Sequence, residues 1–295
     1  MSEAPVVVRA SRPGFLVLAP LCAGLGVTLA WQQVDPLLLD TLLVLTGAVL
    51  AHAAVNLLNE YEDFVSGLDL ITQRTPYSGG SGALPATPSA AKRILGAALG
   101  TLARVIAIGL YFLWQRGLPV LVLGATGVLL VLTYTRWITR SPLLCLFAPG
   151  LGFGPVMVLG SLVALGAQLD SVALTVALIS LLLVSELLLI NQIPDVEADR
   201  KVGRRHLVIT LGPAKAARLV GLMLLAGFGV LVAGWLTGWL PPWSALALAP
   251  APAALWISLT LPGALASSQR LDTILAINVV VLLTTLALLL VGLSL

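Results

Sequence analysis

Polar positions interrupt this chain at long intervals. Between them lie nine apolar stretches, at about 14–31, 37–58, 91–114, 118–135, 143–165, 171–190, 212–236, 243–261 and 273–293. Runs of roughly 20 apolar residues are what a helix needs to cross the hydrocarbon core of a bilayer. Inside lipid every backbone N–H and C=O must find its partner within the protein, which leaves helices or closed barrels. Barrel strands would be about ten residues long and strictly alternating, and these runs are neither. The pattern predicts an all-α polytopic membrane protein with nine transmembrane helices. The first run follows Arg9 and Arg12 and continues for a full span, so it is expected to be retained rather than cleaved as a signal.

Composition agrees. Hydrophobic residues make up 59% of the chain, charged residues 10%, and mean hydropathy is +1.04. Soluble domains carry about 25% charged residues, so a water-facing surface is excluded. The 16 basic residues set the orientation. With the N-terminus in the cytoplasm, fourteen of them lie on that side, Arg104 falls within a span, and only Arg116 lies outside. That bias matches the preference of short cytoplasmic loops for Lys and Arg. Trp31, Trp114, Trp137, Trp235, Trp239 and Trp243 mark span ends, where amphipathic rings favour the headgroup level. Cys22 and Cys145 lie within apolar runs and read as small, inert core residues.

The acids are distributed differently. Seven of the 13 fall in two stretches, Asn56-Leu-Leu-Asn-Glu-Tyr-Glu-Asp63-Phe-Val-Ser-Gly-Leu-Asp69 and Asn191-Gln-Ile-Pro-Asp195-Val-Glu-Ala-Asp199. Each closes a span, the second and the sixth, and both are expected on the cytoplasmic face. Residues four apart share a helix face, so Asn59 should lie over Asp63, with His52 and Asn56 deeper on the same stripe. Asn191, Asp195 and Asp199 should form a second stripe. Asn59 to Asn191 and Asp63 to Asp195 are both 132 residues apart, which hints at two related halves, about 9–140 and 141–295. Facing carboxylates repel, and ionisable groups near membrane depth are costly. A hard cation resolves both, because Mg²⁺ takes oxygen ligands and commonly shares carboxylates with substrate phosphates. Calcium or a coupling ion would use similar oxygens. Glu60, Glu62 and Glu197 are as readily read as solvated helix ends.

Cations follow each cluster. The first continues into Gln73-Arg74-Thr-Pro-Tyr-Ser78-Gly-Gly-Ser-Gly82, the second into Arg200-Lys-Val-Gly203-Arg204-Arg-His206. Arginine forks suit phosphate oxygens, so Arg74 and Arg204 are candidate phosphate ligands. The Gly/Ser run serves equally as an anion cradle of backbone N–H groups or as a flexible loop.

With these motifs the sequence resembles the UbiA-type intramembrane prenyltransferases, and most of all their menaquinone-pathway branch. Asn59-Glu-Tyr-Glu-Asp63 with Gly67-Leu-Asp69 is similar to the first aspartate signature of that branch. Asn191 to Asp199, running on through Gly203 and Leu207 to Gly212, is similar to the second. Arg12-Pro13, Tyr134 and Phe153-Gly154-Pro155 are weaker echoes. Glu60, Arg204, His206 and Thr210 depart from the common pattern, and the loop after the fourth span lacks the usual Gly-x-Gly-Glu.

The resemblance implies one transmembrane prenyltransferase domain, 1–295, with nine helices around a central cavity. It also implies Mg²⁺-dependent transfer of a polyprenyl group from its diphosphate to an aromatic acceptor. Asp63, Asp69, Asp195 and Asp199 would hold the metal, with Asn59 and Asn191 completing the catalytic set. Arg74, Arg204 and Ser78 would take the diphosphate, and Asn56, Tyr61, Tyr134 and Arg140 would face the acceptor. The proton-accepting base is left open between Tyr61, His52 and Glu186. The expected partners are a prenyl diphosphate, an aromatic acceptor and membrane lipid, with no nucleic acid. Two rivals keep parts of this reading: a terpene cyclase with the same diphosphate site, and an ion-coupled transporter. Transporter sites commonly lie near the bilayer midplane on broken helices, whereas these motifs are parallel and sit at a rim.

Overall fold

The structure is a computed structural model describing residues 5–75 and 78–295; Pro76 and Tyr77 of the Gly/Ser loop fall outside it. It is all-helical, with no strand among the described residues. The helices, in chain order, are α1 (Pro13–Gln33), α2 (Leu38–Val65), α3 (Pro88–Arg116), α4 (Leu118–Thr133), α5 (Pro142–Ala164), α6 (Ser171–Asn191), α7 (Pro213–Leu236), α8 (Pro242–Ala264) and α9 (Ser268–Ser294). Eight of these are long and apolar enough to cross a membrane. The expected fourth span, 118–135, is a shorter helix of 16 residues. At 1.5 Å per residue it covers about 24 Å, less than a typical hydrocarbon core. It stops because the chain turns through Tyr134–Trp137, whose tryptophan is 64% exposed.

Local chemistry sets the helix ends. Pro stands at the first position of α3, α5, α7 and α8, where its missing N–H costs nothing. Asp170 caps α6 by accepting from the Ala173 amide at 2.8 Å. Arg116 donates through Nε to the Ala164 carbonyl at the end of α5, 3.1 Å away, which suits a cation at a helix C-terminus. Three buried hydroxyls, on Thr101, Ser180 and Thr285, each bond the carbonyl four residues back. Arg104 is exposed on α3 and bonds the Gly100 carbonyl of its own helix.

α6 is the most enclosed helix, with 67% of its apolar window buried, whereas α3 has 17%. α5 approaches α6 so closely that a Cβ on Gly154 would stand 2.4 Å from the Ala177 carbonyl oxygen. Around that contact, α5 widens into a π-helical stretch, Gly152–Leu159, with Pro155 inside it. A proline removes an intrahelical hydrogen bond and forces such a local rearrangement. α7 and α8 pack outside, against α6 and α9, while α1–α6 and α9 surround a cavity of about 390 Å³.

One sequence expectation fails here. Asn191, Asp195 and Asp199 do not share a continuous helix. α6 ends at Asn191, residues 192–195 turn, and a new helix runs Val196–Lys201. Pro194 is the reason, since it lacks the N–H and crowds the preceding turn. Asp195 and Asp199 remain one turn apart, with the Asp199 amide donating to the Asp195 carbonyl at 2.9 Å.

Candidate active site

The cavity is polar at one end and apolar along its walls. His52, Asn56, Asn59 and Asp63 line it from α2, as the helical spacing predicts. Asp69 joins from Leu68–Ile71, and Asn191, Gln192, Asp195 and Asp199 come from the end of α6 and beyond. Ala51, Val55, Leu102, Val105, Met157 and Leu187 are among the apolar lining residues. The two acidic stretches therefore meet, although the sequence holds them far apart.

Arg204 is the bridge. Its guanidinium pairs with Asp63 from the first stretch and with Asp199 from the second, the latter at 3.0 Å. Buried in this way between two carboxylates, it is held protonated, and its pKa is raised. In this structure Arg204, a candidate phosphate ligand from the sequence, neutralises one aspartate of each motif. His206 donates or accepts at the other Asp199 oxygen, 2.9 Å away. Both Asp199 oxygens are thus engaged.

Asp69 and Asp195 differ. Asp69 Oδ2 and Asp195 Oδ1 are buried without any hydrogen-bond partner, as is Asn191 Oδ1. Burial, with Asp63 and Glu60 nearby, pushes the Asp69 carboxyl up to about 7, while Arg12 and Arg74 pull it down. Burial and Asp199 push Asp195 up to about 7, against the Gly79 amide, Arg204 and the Ser78 hydroxyl. An oxygen left unpaired in low dielectric costs free energy. Three such oxygens beside one cavity fit a hard cation that carries its own water or phosphate ligands. Among the described residues no three His, Cys, Asp or Glu side chains are grouped so as to hold a metal ion by themselves.

The Gly/Ser loop is pinned rather than flexible. Glu60, read from sequence as a solvated helix end, is fully buried. Its carboxylate accepts from the Ser81, Ala83 and Leu84 amides at 3.1, 3.1 and 3.2 Å and from the Ser81 hydroxyl at 2.7 Å. This holds the Gly79 amide on Asp195 Oδ2 at 3.1 Å. Gly80, at φ 78°, passes so near Asp69 that a Cβ would stand 2.6 Å from its Oδ1. Both the close approach and the left-handed backbone require glycine there.

Other expected residues divide. Ser78 and Tyr134 line the cavity, Ser78 buried and Tyr134 half-buried. Asn59 lines it while accepting from the Thr135 hydroxyl at 2.7 Å, and Asn56 donates to the Ser11 carbonyl at 3.0 Å. Arg74 is exposed, lies against Gly82 and is not in the wall. Arg140 is exposed and Tyr61 packs against a side cluster with Leu57 and Leu58; neither reaches the cavity. Glu186 is buried against Asn278, whose amide donates to it at 3.1 Å, away from the cavity wall. The structure adds Arg12, which lines the cavity with its Nε buried and unpartnered. Its φ of 53° is the one positive value among described non-glycine residues. Only its place before Pro13 marked it in the sequence.

Long apolar helices thus enclose a cavity that ends in paired aspartate motifs, the layout of an integral membrane protein with a polar site at one end. The model of the UbiA prenyltransferase family matches residues 17–269, and the chain belongs to that family. It is a membrane prenyltransferase. A protein of Bacillus subtilis (strain 168) named 1,4-dihydroxy-2-naphthoate octaprenyltransferase is 30% identical over 248 residues, covering 82% of this chain and 77% of that protein. Among solved structures, the apo form of a UbiA homolog from Aeropyrum pernix K1 superposes with TM-score 0.71 at 21% identity, covering 94% of this chain and 98% of that one. A UbiA homolog from Archaeoglobus fulgidus bound to DMAPP and Mg²⁺ gives TM-score 0.65 at 13% identity, covering 97% and 99%. At those identities the two structures establish the fold.

Proposed function

We propose that this protein transfers a prenyl group from an allylic prenyl diphosphate to a small aromatic acceptor of the quinone-precursor class, with Mg²⁺ shared between the two aspartate motifs. The observation that carries this reading is the trio of unpartnered buried oxygens on Asp69, Asn191 and Asp195, drawn from both motifs and set beside an apolar cavity. The name of the Bacillus subtilis relative supports a naphthoate-type acceptor, and the ligands of the Archaeoglobus fulgidus homolog support the donor and the metal.

Asp69, Asp195 and Asn191 would hold the metal, with Asp63 and Asp199 available once Arg204 turns to phosphate oxygens. When bound, Mg²⁺ supplies positive charge to the diphosphate as negative charge builds on it. Arg204, Arg12 and the Ser78 hydroxyl stabilise the same developing charge from the protein side. The allylic C–O bond breaks towards the diphosphate, which leaves with the electron pair; a ring carbon of the acceptor bonds the allylic carbon and its displaced proton passes to the departing diphosphate. Val105, Met157 and Leu187 keep water from the cationic carbon in between. Asn59 orients the rim, while Tyr134 and Asn56 face the acceptor. The fourteen basic residues predicted on one side favour a cytoplasmic site, with α4 as a short ninth span and the N-terminus inside. The offset motifs support one domain of two related halves.

The deciding experiment incubates the purified protein with Mg²⁺, a panel of prenyl diphosphates and aromatic acceptors that include 1,4-dihydroxy-2-naphthoate. Mass spectrometry should find a prenylated ring. Cyclised or hydrolysed prenyl products alone, or solute flux without a covalent product, would overturn the proposal.

A further inference from the structure

One titratable side chain lies deep in the cavity, well below the diphosphate end. His52 lies on α2 eleven residues before Asp63, about 16 Å deeper along the helix axis. Its side chain is buried at 7% exposure, and its Nδ1 has no hydrogen-bond partner. The other histidine, His206, also faces the cavity with its Nδ1 unpartnered, but its Nε2 is held by Asp199 at the diphosphate end, whereas no side chain ties His52 to that end. The His52 ring instead meets Phe153 edge-on, with centroids 4.8 Å apart at 80°. Phe153 belongs to the π-helical stretch of α5, so the local widening of that helix is what brings an aromatic surface to the imidazole.

A buried nitrogen without a partner calls for one. The diphosphate cannot be that partner, because its charge belongs with the aspartates and arginines. The prenyl tail cannot be, because it carries no polar atom. A span of about 16 Å leaves room below the rim for a diphosphate, the allylic carbon and one aromatic ring. We propose that His52 binds the aromatic acceptor by accepting a hydrogen bond from a ring hydroxyl at Nδ1, with Phe153 supplying a ring surface beside it. His52 thereby selects hydroxylated aromatic rings and orients the ring carbon towards the allylic carbon. This inference rests on the prenyl-transfer reading and adds the residue that recognises the acceptor.

The test uses the full-length protein in nanodiscs with 1,4-dihydroxy-2-naphthoate, its methyl ethers and a prenyl diphosphate. His52→Leu should raise the acceptor KM about tenfold, the weight of one neutral hydrogen bond, and leave the donor KM unchanged. His52→Gln, whose Oε1 can accept the same bond, should stay close to the parent. The parent's preference for the free hydroxyl over the methyl ether should vanish in His52→Leu. An unchanged acceptor KM, or an equal rise in donor KM, would overturn the inference while leaving prenyl transfer standing. Failure of the unaltered protein to prenylate any ring would instead remove the reading beneath it. Should His52→Leu fail to fold, ¹⁵N-histidine labelling of the parent decides. The chain has 2 histidines, and acceptor should move the Nδ1 resonance of His52; an unmoved resonance at saturating acceptor would sink the proposal.

Discussion

The two aspartate stretches use the same side chains on different scaffolds. In the first, Asn59 and Asp63 sit on one unbroken helix, α2, and Asp69 arrives after a turn at Gly67. In the second, Pro194 breaks the helix before Asp195, so Asp195 stands at the start of a separate short helix, Val196–Lys201, and Asp199 lies within it. Their end states nevertheless correspond. Each stretch offers one aspartate clamped by Arg204, Asp63 or Asp199, and one with a buried unpaired oxygen, Asp69 or Asp195. Matched chemistry at a site thus needs matched positions of oxygens, not matched backbone, and a broken helix reaches those positions as well as a continuous one.

That pairing can be broken from either half. Asp69→Ala and Asp195→Ala should each lower prenyl transfer by about 10²–10³-fold, as loss of charge stabilisation in a dry site does, with membrane insertion intact. Product formation in nanodiscs measures it, and parent-like turnover by either variant would remove its aspartate from the metal set. Arg204→Leu should leave Asp63 and Asp199 as facing buried carboxylates and cost about 3–5 kcal/mol of stability. Thermal unfolding in detergent reads this, and adding Asp199→Asn should recover part of the loss. If Arg204→Leu unfolds at the parent temperature, the clamp is not structural.

Smaller effects refine the comparison. Glu60→Gln keeps the shape but weakens charge-assisted bonds to three amides, so it should cost about 1–3 kcal/mol locally. Faster hydrogen exchange at Ser81, Ala83 and Leu84 is the expected sign; unchanged exchange would mean the loop is held elsewhere. The pH dependence is the mildest. Asp69 and Asp195 are both raised to about 7, so each holds a proton below that value and must release it to take a divalent cation. Affinity for Mg²⁺ should therefore rise between pH 6 and 8, by about tenfold in total for each proton displaced, and level off above pH 7. The stability of the metal-free protein should move the opposite way. An acid whose folded pKa is raised loses stability as pH climbs from its ordinary carboxylate value through about 7. Isothermal titration at three pH values checks the first trend and metal-free melts the second; a flat affinity would contradict the burial of these groups.

Apolar run length by itself determined most of the architecture. A helix satisfies its own backbone within one segment, so composition and spacing located the eight long apolar helices and the shorter one at Leu118–Thr133, and the helical period put His52, Asn56, Asn59 and Asp63 on one wall. Those are local facts, and local sequence carries them. What tertiary structure decided was everything that depends on who faces whom across the cavity. Glu60 looked solvated because nothing nearby in sequence shows that residues 81–84 fold back onto it. The double pairing of Arg204 is invisible along the chain because its two partners lie on separate segments, and the place of Arg12 in the cavity wall is set only when the helices pack. Arg74 lies three residues beyond the helical turn that carries Asp69, yet the loop geometry turns it outward. Proximity along the chain fixes period and hydrophobicity, but pairing of charges is a matter of distance in space, and that is set when the helices pack.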